Sequence, residues 1–259
     1  MRQDSTEVNF KRRKGLLQRA WIQAQLGLPH TLPEAHPICG TFIGERRLLY
    51  HLGLGTESNV LEEGPYVGCS TLALASGLRD QKREIHHQFF TCDAFPTGMR
   101  NTNSPTRFAK TEKGEIVLYV WDKPMYFWND TQNLYSSFFV PVVEKDGGIL
   151  HALYANLKKF ELHSNVTIIA GGSQNYPRLD YHVVWSDAAH DLTEVKRNLH
   201  VWLGILSLSQ GAVVFSFHDL GTDALTNVRN FVRQTLASKG AIVFEVIIDA
   251  TWAIEVEKF

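Results

Sequence analysis

Two strand-like runs close the chain, Ala241 to Ile248 and Thr251 to Lys258, and only Asp249 and Ala250 separate them. A parallel pair needs a crossover of a dozen or more residues, so this link forces an antiparallel hairpin. Upstream, short buried strands alternate with helical periodicity. Val166 to Ala170, Tyr181 to Trp185 and Ala212 to Phe217 read as strands. Leu192, Val195, Leu199, Trp202 and Leu206 lie along one side of a helix, as do Leu225, Val228, Phe231, Val232 and Leu236 in a last helix expected from about Thr222 to Ser238. Strands alternating with helices make a mostly parallel sheet with helices on both faces. Here that sheet must end in one antiparallel pair.

The stretch Asn59 to Leu78, NVLEEGPYVGCSTLALASGL, supplies the ligand-binding signal. Val60 and Leu61 make a short strand, Glu62 ends it, Gly64 and Gly68 form a turn, and Ser70 or Thr71 opens a helix. Glycine lets backbone approach a ligand closely, and a helix N-terminus offers unpaired N–H groups. Glu62 falls at the carboxyl end of its strand, where open α/β sheets bind ligands. Neither the G-x-G-x-x-G dinucleotide fingerprint nor the G-x-x-x-x-G-K-[ST] phosphate loop is present. A second strand, His87 to Asp93, ends in another carboxylate. Asp93 is placed either to accept hydrogen bonds from both hydroxyls of a ribose or to cap a turn.

The flanking segments complete the layout. Leu16, Leu17, Ala20, Trp21, Ala24 and Leu28 give an amphipathic helix, Leu32 to Pro37 a loop, and Phe42 to Leu52 a second helix leading into the first strand. Residues 1–41 are therefore expected to form a helical cover and loop on a domain spanning 42–259. From about 97 to 148 the alternation breaks. Glu115 to Trp121 and Met125 to Trp128 look like a β-hairpin inside this insertion, and its aromatics suit a substrate lid, a homo-oligomer surface or ordinary packing. Formal charges of 26 and 27 nearly cancel, so no bulk field argues for nucleic acid or an anionic membrane. Lys11 to Lys14 read as a solvated run. Cys39, Cys69 and Cys92 are too few and scattered for a disulfide framework. With no signal-peptide core and no membrane-length apolar run, a soluble, cytoplasmic chain is expected.

The acidic-x-Gly-x-x-x-Gly spacing running into G-x-S-T before an Ala/Leu-rich helix resembles the first motif of class I S-adenosylmethionine-dependent methyltransferases. The likeness is to the small-molecule O-methyltransferase group. Two later stretches extend it. YHVVWSDAAHDLTEVKRNL, Tyr181 to Leu199, is similar to the strand, Asp-Gly-Asp-His-like turn and Val-Lys-Arg-Asp-Leu helix of catechol-, macrocin- and cephalosporin-tailoring-type enzymes, and GAVVFSFHDLG is similar to their Gly-Gly-to-His-Asp strand end. The resemblance implies an α/β, Rossmann-like, doubly wound seven-stranded sheet with a terminal antiparallel hairpin. It also implies methyl transfer from S-adenosylmethionine to a hydroxyl of a small-molecule acceptor. On this resemblance Glu62, Gly64, Tyr66, Gly68, Ser70, Asp93, Gly172, Ser173 and Asp187 form the cofactor site. Asp187, His190 and His218 are the candidate catalytic residues, and Asp187 with Asp219 would hold a divalent cation, Mg2+ or Mn2+; Asp219 is equally placed to cap the following helix. Three positions depart from the pattern: Glu63 replaces an apolar residue, Gly172 an acidic one, and Ala189 a carboxylate. A catalytically silent interaction module is the alternative these departures leave open.

Overall fold

The computed structural model describes residues 15–27, 41–81, 88–93, 106–110, 112, 115–120, 123–129, 140–144, 148–171, 175–187 and 192–259. Seven strands form one sheet: β1 (Asn59–Glu63), β2 (Phe89–Asp93), β6 (Val166–Ala170), β7 (Tyr181–Ser186), β8 (Ala212–Phe217), β9 (Gly240–Ile248) and β10 (Thr251–Lys258). Their order is β6-β2-β1-β7-β8-β10-β9. The β2–β6, β1–β2, β1–β7 and β7–β8 pairs are parallel, and β10 runs antiparallel to both β8 and β9. This is the doubly wound seven-stranded sheet with a terminal antiparallel hairpin that the sequence implies. The strand order reverses between β1 and β7, and such a switch point opens a crevice beyond the carboxyl ends of the strands.

Residues alternate between the sheet's two faces. One face carries Val60, Phe89, Val183, Trp185, Val214 and Ala253 and packs under α1 (Leu16–Leu26), α2 (Ile43–Gly55), α3 (Cys69–Arg79) and α5 (Gly148–Lys159). The other carries Leu61, Phe90, Val184, Phe215 and Ile254 and packs under α6 (Leu192–Leu208) and α7 (Thr226–Ala237). Among the described residues no helix is long and apolar enough to cross a membrane.

Two buried features fix the helices on the first face. A Cβ at Gly53 would strike the Leu74 carbonyl, and one at Gly77 the Tyr50 carbonyl, so α2 and α3 cross with backbone in direct contact. Glu255 of β10 accepts the Leu16 and Leu17 amides at 2.9 and 3.1 Å, capping α1 from across the sheet. Helix N-termini carry unpaired N–H groups, which a carboxylate suits on both hydrogen-bonding and dipole grounds.

The insertion differs from the expected hairpin. It is a three-stranded sheet, β3 (Thr106–Lys110), β4 (Glu115–Val120) and β5 (Lys123–Asn129), with β4 in the centre. TRFAK lacks a run of apolar residues, and it becomes a strand because β4 offers a free edge. A short helix, α4 (Val140–Val143), follows. The last helix is likewise divided, a 3-10 turn at Asp223–Leu225 preceding α7. Lys11 to Lys14, Cys39, His87, Trp121, Gly172, Ser173, Ala189 and His190 lie outside the described residues.

Candidate active site

The β1–α3 turn is built on left-handed backbone. Gly64, Tyr66 and Gly68 have φ of 76°, 47° and 94°. Gly68 is the N-cap of α3, and a Cβ there would also lie 2.6 Å from Leu153 of α5. Asn156 of α5 ties the turn down by donating to the Val67 carbonyl at 2.7 Å. Because the N-cap has no side chain, no side-chain cap occupies the first-turn amides of α3. Helix N-termini of this kind suit anions in general.

Glu62 and Glu63, adjacent on a strand, point to opposite faces. Glu62 is fully buried, and its Oε2 accepts the Thr71 and Thr91 hydroxyls at 2.6 Å each. Its Oε1 has no well-aligned partner. Burial pushes its carboxyl up to about 7, against the hydroxyls of Ser70, Thr71 and Thr91, while the Asp187 charge adds to the rise. Glu63, on the other face, accepts the Tyr176 hydroxyl at 2.6 Å and the Trp202 indole N–H at 3.1 Å. Burial raises its pKa as well, and Ser186, Tyr176 and Trp202 oppose that rise. Its departure from the family pattern therefore has a physical account: the carboxylate is paired beneath α6, away from the face that carries Glu62. Cys92 donates to the Tyr176 hydroxyl at 3.2 Å and extends this buried cluster. Cys92 is a free thiol, whereas Cys69 is disulfide-bonded.

The register aligns the candidate residues. Glu62 pairs with Thr91 and with Trp185, and Trp185 with Ser216. Further toward the carboxyl edge, the same ladders place Asp93, Gly64, Asp187 and His218 side by side on the face that carries Glu62. The Gly64 amide donates to the Cys92 carbonyl, the Asp187 amide to the Glu63 carbonyl, and the His218 amide to the Ser186 carbonyl, so the ladder continues to the strand ends.

At that edge His218 is nine-tenths buried, with its Nδ1 3.1 Å from Asp187 Oδ1 and 3.3 Å from Asp219 Oδ1. Its Nε2 lies 3.4 Å from Glu45 Oε2. These are charge contacts, since neither ring nitrogen has a well-aligned hydrogen bond. Burial disfavours the imidazolium, but Asp187, Asp219 and Glu45 outweigh it, and the pKa is raised. Asp219 holds left-handed backbone at φ 63°, and its carbonyl accepts from Thr222. The ligand atoms of Asp187, His218 and Asp219 lie within 4.8 Å of one another, close enough to close around one cation.

Glu45, in the first turn of α2, was invisible to sequence reasoning. An acidic residue early in a helix is ordinary, and its partners lie some 200 residues away. It is fully buried, and its Oε1 accepts the Ala250 amide and the Thr251 hydroxyl at 3.0 Å each. Its Oε2 accepts the Phe42 amide at 2.7 Å. Tyr176 and Trp202 were also missed as partners of Glu63.

No family model and no curated protein matches this chain. Solved structures similar to it include the O-methyltransferase from Bacillus cereus in complex with SAH, at 13% identity, TM-score 0.48, covering 96% of this chain and 94% of that one. Another is the O-methyltransferase TomG from Streptomyces achromogenes, involved in tomaymycin synthesis, in complex with SAM, at 14% identity, TM-score 0.47, covering 97% and 93%. The SAH-bound methyltransferase PaMTH1 of Podospora anserina aligns at 13% identity, TM-score 0.44, covering 95% and 89%. At these values the neighbours carry no weight for activity, and function rests on this chain's own residues.

Proposed function

We propose that this protein is an S-adenosylmethionine-dependent O-methyltransferase acting on a hydroxyl of a small molecule. The observation that carries the reading is the shared face. Glu62, Asp93, Asp187 and His218 sit on one side of four adjacent strands, at their carboxyl ends, around the strand-order switch point. The donor set fits the cofactor part by part. The α3 amides suit a carboxylate, Asp93 suits the two hydroxyls of a ribose, and the carboxylates of Glu62 and Asp187 suit positive charge. When bound, the cofactor supplies an electrophilic methyl on a sulfonium.

The chain's own residues must then bind the acceptor, align its oxygen and manage its proton. Asp187 and Asp219 are exposed enough to meet an acceptor hydroxyl, at 23% and 36% of their side chains, and His218 behind them holds both carboxylates in place. Alignment alone is worth several kcal/mol, up to roughly 7–11 in the best cases. Asp187, His218 and Asp219 are the residues that would hold a divalent cation, which would acidify the acceptor hydroxyl. A donor set with an imidazole favours Mn2+ over Mg2+.

Calorimetry with S-adenosylmethionine and S-adenosylhomocysteine tests the reading directly. Binding in the micromolar range that is lost in Asp93→Ala supports it. No heat at millimolar ligand would overturn it.

A further inference from the structure

We propose that Glu45 is a positioning residue of the reaction edge: its carboxylate sets the orientation of the His218 ring and thereby the placement of Asp187 and Asp219. This rests on the methyltransferase reading for its catalytic consequence, but not for the contact itself. Among the described residues, Glu45 is the carboxylate that reaches the buried side of His218, at 3.4 Å from Nε2, while the two aspartates hold Nδ1. An imidazole that faces carboxylates at both nitrogens is favoured in that ring orientation by charge, and its neighbours are ordered with it.

The same carboxylate ties α2 to the β9–β10 turn and to the end of β8, two elements that the sheet ladder already joins to each other. Its Oε1 takes the Ala250 amide and Thr251 hydroxyl of the β9–β10 turn, and its Oε2 takes the Phe42 amide at the start of α2. Phe42 and Ile43 are more than half exposed beside it, an apolar rim next to a charged edge. A shift of α2 is therefore transmitted to His218 through this side chain, whereas the terminal hairpin also reaches the end of β8 through the sheet ladder. The terminal hairpin, remote in sequence from the β1 turn, acquires a place in the site by this route.

The test uses the full chain with Glu45→Gln. The amide oxygen can still accept from Ala250 and Thr251, whereas the NH2 group can accept neither from His218 nor from the Phe42 amide. Ring-nitrogen NMR of His218 is recorded for both proteins, assigned by loss of the signals in His218→Gln. The expected result is a change at the His218 nitrogens with the other histidines unmoved, and a melting temperature lower by a few degrees, since the Phe42 amide loses its acceptor. With 3,4-dihydroxybenzoate as probe acceptor, turnover falls roughly 10–100-fold at unchanged KM, less than the 10²–10⁴ lost when proton transfer itself is removed. Glu45→Asp, which keeps the charge, restores part of that loss, and it replaces Glu45→Gln in the NMR comparison if the latter fails to fold. Unchanged His218 signals overturn the proposal, as do shifts spread over all histidines. Absence of cofactor binding in the wild type would instead sink the methyltransferase reading and leave the NMR comparison to decide Glu45.

Discussion

Replacing Glu62 by Gln isolates the energetic consequence of burying a carboxylate at the end of β1. Its pKa is raised from 4.5 to about 7 in the folded chain. The folded state therefore binds the proton more tightly than the unfolded state. The stabilisation from that proton is complete below about pH 4.5 and is lost as pH rises through 7. At about 1.4 kcal/mol per unit of pKa, the loss between pH 5 and pH 8 is roughly 2–3 kcal/mol. Glu63, Glu255 and His218 are raised and His51 is lowered, so the wild-type curve alone would mix several groups. The difference between wild type and Glu62→Gln, measured by urea unfolding at half-unit pH steps, removes the others. The variant should gain on the wild type by that amount between pH 5 and pH 8. A stability difference that stays flat across this window would refute the assignment of a protonated, buried Glu62.

Other perturbations separate the parts of the site. Saturation with S-adenosylmethionine should release a proton near pH 6, read by calorimetry in buffers of different ionisation heat, because a cationic ligand beside Glu62 favours its ionised form. Gly68→Ala forces a Cβ into left-handed backbone and toward Leu153, and should lower stability by about 1–3 kcal/mol in urea unfolding. Glu63→Ala leaves the Tyr176 hydroxyl and the Trp202 N–H without their buried acceptor. It should cost about 1–3 kcal/mol, whereas combining Glu63→Leu with Tyr176→Phe and Trp202→Phe should recover part of that in the same assay.

Local physics decides which parts could be read from the chain. β6, β8 and the terminal hairpin carry strong apolar runs and unambiguous turns, and their bounds agree with expectation to within a residue. The positions of Glu62 and Asp93, one residue from the end of β1 and at the end of β2, follow from short apolar runs that the sequence shows. Their shared face follows from register, which the apolar pattern of Val60 and Phe89 sets. Side-chain partnerships across the sheet were not legible. Glu45 reaches Ala250 and Thr251, Glu255 reaches Leu16 and Leu17, and Glu63 reaches Tyr176 and Trp202, and each pairing requires the whole sheet to be assembled first. β3 was missed for a different reason: its partner β4 is close in sequence, across residues 111–114, but its own five residues carry little strand propensity.

Those long-range carboxylates also decide what charge the edge will accept. On one face Glu62, Asp93 and Asp187 line adjacent strand ends, and Asp187, Asp219 and Glu45 surround the His218 ring. A pyrophosphate brought to this edge would meet several carboxylates at short range, and at protein-surface dielectric each close pair of like charges costs on the order of 4 kcal/mol. The α3 amides can offset a single carboxylate but not a doubly charged pyrophosphate among acids. A ligand with one carboxylate, an ammonium and a sulfonium reverses the sign of most of these terms. On the methyltransferase reading this edge is therefore expected to prefer a cationic nucleoside over a dinucleotide, and calorimetry in which NAD binds as tightly as S-adenosylmethionine would refute it.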